Sequence, residues 1–174
     1  MAQRRSRSDL PWAELVADQG LRLRYEAKVH RRGTDACHFW IGAISSSGHG
    51  KLKTSKVEGR PTLTITAHVL GWAIEYGAES VATVEVIRHS CDSPSCNNPR
   101  HWLAGTRRDN VLDYASRSRI AGHALDDERG AAGRASAIRA AILAAQASGE
   151  DVDAAIERAI IAGQPGGAWQ DPLF

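Results

Sequence analysis

HSCDSPSCNNPRHWLAGTRRDN, residues 89–110, is the stretch on which the fold turns. A β-branched run from Val84 to Arg88 leads into it and ends at His89, as a strand would. A polar loop containing Pro94 and Pro99 follows, and His101 to Leu103 reads as a second short strand. Thr106 is a side-chain cap for a helix over Arg107 to Arg119, with Val111, Leu112 and Ala115 on its apolar face. The order is strand, long loop, strand, helix.

Cys91, Cys96 and His101 stand five positions apart in that loop. Thiolate and imidazole donors suit a tetrahedral zinc ion, and structural zinc sites are usually closed by four protein ligands. Cys37 is the remaining cysteine and supplies the obvious fourth. The competing reading is three unrelated buried thiols, because free cysteine packs as a small hydrophobe. Asp92, Ser93, Ser95 and Asn97 around Cys91 and Cys96 do not make a core environment, which favours the metal. A metal staple also holds a loop that has little apolar material to fix its shape.

With those ligands assigned, His89 is left over two residues before a ligand. A neutral imidazole near pH 7 is suited to take a proton from water. Asn110 follows 21 residues later in the first turn of the predicted helix. Its amide oxygen is a hard donor appropriate to Mg²⁺, which keeps several waters and needs few protein ligands. A histidine base facing a magnesium ion across a phosphate is a complete hydrolytic apparatus.

The bulk properties set the frame. At 174 residues the chain has room for one domain with an appendage, and 43% hydrophobic but 6% aromatic residues imply a small core with outside support. The net charge of +2 hides an asymmetry. Residues 1–60 carry twelve Lys/Arg against six Asp/Glu, and residues 123–174 carry four against eight. A basic first third is expected of a polyanion binder. No apolar stretch has the length of a membrane span and no signal-peptide core opens the chain, so the expectation is a soluble, cytoplasmic protein.

Residues 1–33 read as a basic arm (MAQRRSRS) followed by a short helix, capped by Ser8 or Asp9, with Pro11 in its first turn and Trp12, Leu15 and Val16 on one face. After a linker at Arg31 to Gly33, Cys37 to Ile44 is rich in strand formers; SSSGHG is a turn, and Lys51 to Thr54 a partner strand. Thr62 to Ile65 reads as another strand, and His68 to Tyr76 as a helix closed by Gly77. Beyond Gly122, residues 123–174 form an alanine-rich tail with helices over Ala135 to Ala147 and Val152 to Ala162. Ile138, Ile142, Ile156 and Ile160 would form the seam between them, by packing within the chain or at a dimer contact.

The spacing His89, Cys91, Cys96, His101, Asn110 resembles the zinc-stapled HNH endonucleases, near the His–Cys box homing endonucleases and the HNH proteins of bacteriophages. CHFWIGAISSSGHGKL and AHVLGWAIEYG resemble that family's first hairpin and helix, so the likeness covers residues 34–122. It implies an α+β chain whose core is a zinc-stabilised ββα-metal nuclease domain, with an added hairpin and a helical tail. His89 is then the general base, Asn110 holds the catalytic Mg²⁺, and Cys37, Cys91, Cys96 and His101 hold structural Zn²⁺. The products would end in 5′-phosphate and 3′-hydroxyl. Related enzymes place an arginine near the scissile phosphate, for which Arg60 is the candidate. Trp102 stands where the family usually has a smaller aliphatic residue.

The expected substrate is double-stranded DNA. Lys51, Lys53 and Lys56 on or beside the hairpin, with Arg107 and Arg108 beside Asn110, are the candidate phosphate contacts. One active site cuts one strand, so a double-strand break would require a homodimer. His38, His49 and His68 carry no assignment, and His68 reads as packed. The alternatives are a non-catalytic zinc-stabilised DNA-binding module and a nuclease directed at RNA.

Overall fold

Three small antiparallel sheets and seven α-helices, with short 3-10 turns, make up the regular structure among the described residues of the computed structural model, 9–55, 61–118 and 120–166. The basic arm at 1–8, Lys56, Arg60 and the chain end from 167 lie outside the described residues, as does Arg119. The fold is mixed α+β.

Two helices open the described chain, α1 (Trp12–Ala17) and α2 (Gln19–Glu26). The second is a helix that the sequence reading did not separate. Asp18 ends the first and caps the next, accepting from the Leu21 N–H at 2.9 Å. Pro11 precedes the first helix as its cap residue, without a side-chain cap bond, rather than sitting in its first turn. Trp12, Leu15, Leu21 and Tyr25 are buried in the main core with Trp40, Leu70, Ile87 and Trp102.

The predicted single strand over Cys37 to Ile44 is two strands in different sheets. β1 (Val29–His30) pairs with β2 (Phe39–Trp40), whereas β3 (Ala43–Ile44) pairs with β4 (Gly50–Lys53) across the SSSGHG turn. The chain folds over at Ile41 and Gly42, because the Trp40 indole turns back to donate to the Ala43 carbonyl at 3.1 Å. A side chain at Gly42 would strike that indole. β5 (Thr64–Thr66) completes the second sheet and runs into α3 (Ala67–Tyr76), which ends at Gly77 as expected. The short α4 (Ser80–Thr83) follows.

β6 (Val86–His89) and β7 (Trp102–Gly105) pair antiparallel over four residues, with His89 opposite Trp102. α5 (Arg107–Arg117) follows directly, started by a capping box in which Thr106 and Asp109 satisfy each other's backbone N–H groups. Its supposed core face is not covered: Val111 is 58% exposed and Leu112 56%. Polar contacts secure this helix instead. Asp113 pairs with Arg88 of β6 at 2.6 Å and with Arg117 at 2.9 Å, and Arg117 reaches Asp92 in the loop at 3.1 Å.

The tail forms α6 (Gly130–Ser148) and α7 (Val152–Ile161), turned by Gly149 in the left-handed region (φ 74°). Ile138, Ile142 and Ile156 are buried together with Phe39, and Ile160 packs at the edge, so the seam closes within the chain. Arg32, in the expected linker, ties this tail down through Asp153 and Glu157 of α7 at 2.7 and 2.8 Å. No helix among the described residues is long and apolar enough to cross a membrane.

Candidate metal centre and adjoining cleft

Cys37, Cys91, Cys96 and His101 converge, with one ligand atom from each lying within 4.8 Å of all the others. The His101 Nδ1 is 3.4 Å from Cys96 Sγ and 3.7 Å from Cys37 Sγ. On a tetrahedral zinc with bonds of about 2.3 Å to sulfur and about 2.0 Å to nitrogen, ligand atoms stand roughly 3.5–3.8 Å apart. The donor set suits such an ion in its chemistry, and the two histidine–sulfur distances match its spacing. The loop brings in three ligands, and Cys37 arrives from the chain just before β2.

The surroundings fix the ligands. His101 Nε2 donates to the Asp35 carbonyl at 3.2 Å, which leaves Nδ1 with its lone pair toward the thiols. The Asn98 backbone N–H donates to Cys96 Sγ at 3.4 Å. Crowding also governs the thiols. Contact with Cys37 and Cys96 holds Cys91 well below an ordinary thiol, while contact with Cys91 pushes Cys37 up to about 12. The same contacts with Cys37 and Cys91, together with burial, push Cys96 upward as well. Three adjacent thiols cannot all ionise without a cation to offset their charges.

Asn98 is a positioning residue of the cluster that the sequence reading missed. It is buried, and its amide donates to the carbonyls of Thr34 and Ala36 at 2.9 and 2.7 Å. Its oxygen accepts from the Arg100 N–H at 3.0 Å, capping the 3-10 turn Pro99–His101 that presents the histidine ligand. One side chain thus joins the segment before Cys37 to the loop. The Asn-Pro pair signals a turn, but nothing local tells that the amide reaches 64 residues back.

Cys96 faces two ways. Its sulfur belongs to the cluster, and its carbonyl accepts from His89 Nε2 at 3.1 Å and from Trp102 Nε1 at 3.4 Å. A carbonyl only accepts, so neutral His89 carries its hydrogen on Nε2 and presents a lone pair on Nδ1. Burial keeps His89 below the ordinary histidine value, in the neutral form. Trp102 fills the core beneath and lends a second donor to the same carbonyl, which accounts for a large residue at that position.

His89 and Asn110 line one cleft of about 220 Å³, shared with Ser47, His49, Asp92, Pro94, Tyr114, Leu125 and Ala131. His68 lies buried in α3 with its ring edge-on to His89, the centroids 4.8 Å apart. Of the expected nucleic-acid contacts, Arg107 and Arg108 are exposed in the first turn of α5. Lys53 is exposed on β4, while Lys51 donates to Thr66 Oγ1 at 2.8 Å.

Two proteins of Escherichia phage T7 are similar to this chain. Protein 7.7 is 34% identical over 85 residues, an alignment covering 49% of this chain and 59% of that protein. Protein 2.8 is 31% identical over 99 residues, covering 55% and 61%. The chain thus spans about three fifths of the length of these relatives, whose names state no activity. No family model matches the chain, and no solved structure matches it.

Proposed function

We propose that the chain is a metal-dependent DNA endonuclease of the HNH type, built on a ββα-metal core that a structural zinc holds together. One observation carries the reading: His89 and Asn110, 21 residues apart, face the same cleft while the cluster of Cys37, Cys91, Cys96 and His101 stands behind it. β6, the cluster loop, β7 and α5 supply strand, staple, strand and helix in the order this chemistry uses.

In this reading His89 takes a proton from water through Nδ1, held at the right tautomer by the Cys96 carbonyl. Asn110 offers a hard oxygen donor fit for Mg²⁺. Such an ion, when bound, would neutralise charge on the phosphate. The water oxygen bonds to phosphorus and the bond to the 3′ oxygen breaks, leaving 5′-phosphate and 3′-hydroxyl ends. Arg107 and Arg108 beside the cleft, and Lys53 on the hairpin, would contact the backbone of double-stranded DNA. Arg60 keeps its proposed place near the scissile phosphate on the resemblance alone.

The test is plasmid cleavage with Mg²⁺ by the wild type and by His89→Ala. Wild-type cutting, with loss on the order of 10²–10⁴-fold in the variant and DNA binding retained, supports the reading. Wild-type binding without cutting under any divalent metal replaces it with a zinc-stabilised DNA-binding module. Metal analysis should return zinc with the folded chain, and Cys96→Ser should lose both zinc and the fold of the loop.

A further inference from the structure

His49 lines the same cleft from the β3–β4 turn, its ring centroid 6.3 Å from that of His89 and 5.1 Å from that of His68. The turn fixes it closely. Ser45 N–H donates to the His49 carbonyl at 2.9 Å and Gly48 N–H to the Ser45 carbonyl at 2.9 Å. Gly48 has φ of 80°, and a Cβ there would stand 2.7 Å from both the Ala131 carbonyl and Pro94 Cγ. The turn is therefore wedged between the cluster loop and the start of α6.

Taking all three polar contacts of the turn as hydrogen bonds assigns the tautomer of the imidazole. Ser45 Oγ donates its one hydrogen to the His49 carbonyl at 3.1 Å. Ser47 Oγ must then be the donor in its 3.0 Å contact with Ser45 Oγ, which spends the hydrogen of Ser47. In the remaining contact, 2.9 Å between Ser47 Oγ and His49 Nδ1, the hydrogen belongs to His49. His49 is thus the tautomer protonated on Nδ1, with its lone pair on Nε2. Burial, with His89 and Lys51 nearby, holds it in that neutral form, down to about 4. His89 has the opposite tautomer, so the cleft contains two imidazoles that both accept.

We propose that His49 is a second catalytic residue of the nuclease site, accepting a hydrogen bond through Nε2 from the attacking water that His89 deprotonates. The inference rests on the nuclease reading. A water has two hydrogens. One passes as a proton to His89 Nδ1, and the electron pair of that O–H bond becomes the new bond to phosphorus. The other stays on the oxygen and points at His49, which orients the attacking lone pair. The departing 3′ oxygen takes its proton from solvent. Holding the nucleophile in line is a contribution to rate rather than to DNA affinity.

The test uses His49→Asn and His49→Ala in the full chain with a radiolabelled duplex. The amide nitrogen of asparagine sits where Nδ1 does and keeps the Ser47 contact, so this variant folds while lacking Nε2. The expected result for His49→Asn is a single-turnover rate lower on the order of 10²-fold, with DNA affinity and melting temperature unchanged. For His49→Ala, added imidazole should restore part of the rate. Cutting by His49→Asn at the wild-type rate would overturn the proposal and leave the nuclease reading standing, provided that His89→Ala is inactive. A rate loss that follows loss of fold or of DNA binding, with no imidazole rescue, makes His49 structural and also overturns it. A wild type that never cuts overturns both readings together.

Discussion

At the scale of single residues, Cys96 and Asn98 do more than their types announce. Cys96 passes the rigidity of the cluster to His89 through one carbonyl, so the staple and the candidate base are two ends of one residue. Asn98 makes the join by which Cys37 can meet the other ligands. Removing its amide in Asn98→Ala leaves the Thr34 and Ala36 carbonyls and the Arg100 N–H without their protein partner. The cost should be on the order of 2–4 kcal/mol, read as a lower urea midpoint, because several polar groups lose partners at once. Zinc affinity by chelator competition should fall roughly 10- to 100-fold, the usual effect of disturbing groups that orient ligands. A variant that melts and chelates like the wild type would remove Asn98 from this role.

Among the elements, the contrast between α5 and the tail is the most informative. Both carry apolar residues at helical spacing, yet Ile142 is buried and Val111 is not. Ile142→Ala should therefore cost about 2–5 kcal/mol, while Val111→Ser on α5 should stay within about 0.5 kcal/mol. Equal losses at the two sites, by chemical denaturation, would contradict the packing. This difference also marks how far the sequence could be read. Caps and turns are local, so Thr106 starting α5, Gly77 ending α3 and Gly149 between the tail helices are visible in the string of residues. The five ligand and cleft positions from His89 to Asn110 are equally visible, because their types and spacing lie in one short segment. Which face of a helix finds a partner depends on segments far away. Phe39 receives the tail seam, and its own strand meets Cys96 through an isolated bridge. Trp40 folding back on Ala43 likewise breaks a run that looks continuous by propensity. His49 needed the serine turn in three dimensions before its tautomer could be assigned.

The whole molecule builds its cleft from three parts: the hairpin with His49, the β6–β7–α5 unit with His89 and Asn110, and the tail with Leu125 and Ala131. Acid should loosen this assembly as its histidines are forced to take up protons. Burial holds His49 down to about 4, and burial also lowers His30 on β1. An unfolded histidine binds a proton near pH 6.5, so below that value the unfolded chain takes up protons that the folded chain refuses. Stability is then complete above about pH 6.5 and falls as the pH drops toward 4. Asp127 behaves in the other direction. Burial alone would raise it, but hydrogen bonds from Arg129 outweigh that and hold it below the ordinary carboxylate value. Its contribution is present above the unfolded aspartate value near 3.9 and is lost only at lower pH. Denaturant midpoints measured at pH 7.5 and 5.0 should therefore fall for the wild type, and His49→Asn should fall less because one refused proton is gone. Protonation of the cluster of Cys37, Cys91, Cys96 and His101 affects both proteins alike, so the difference between them isolates the histidine. Identical losses in the two proteins would show that the fold does not hold His49 in its neutral form.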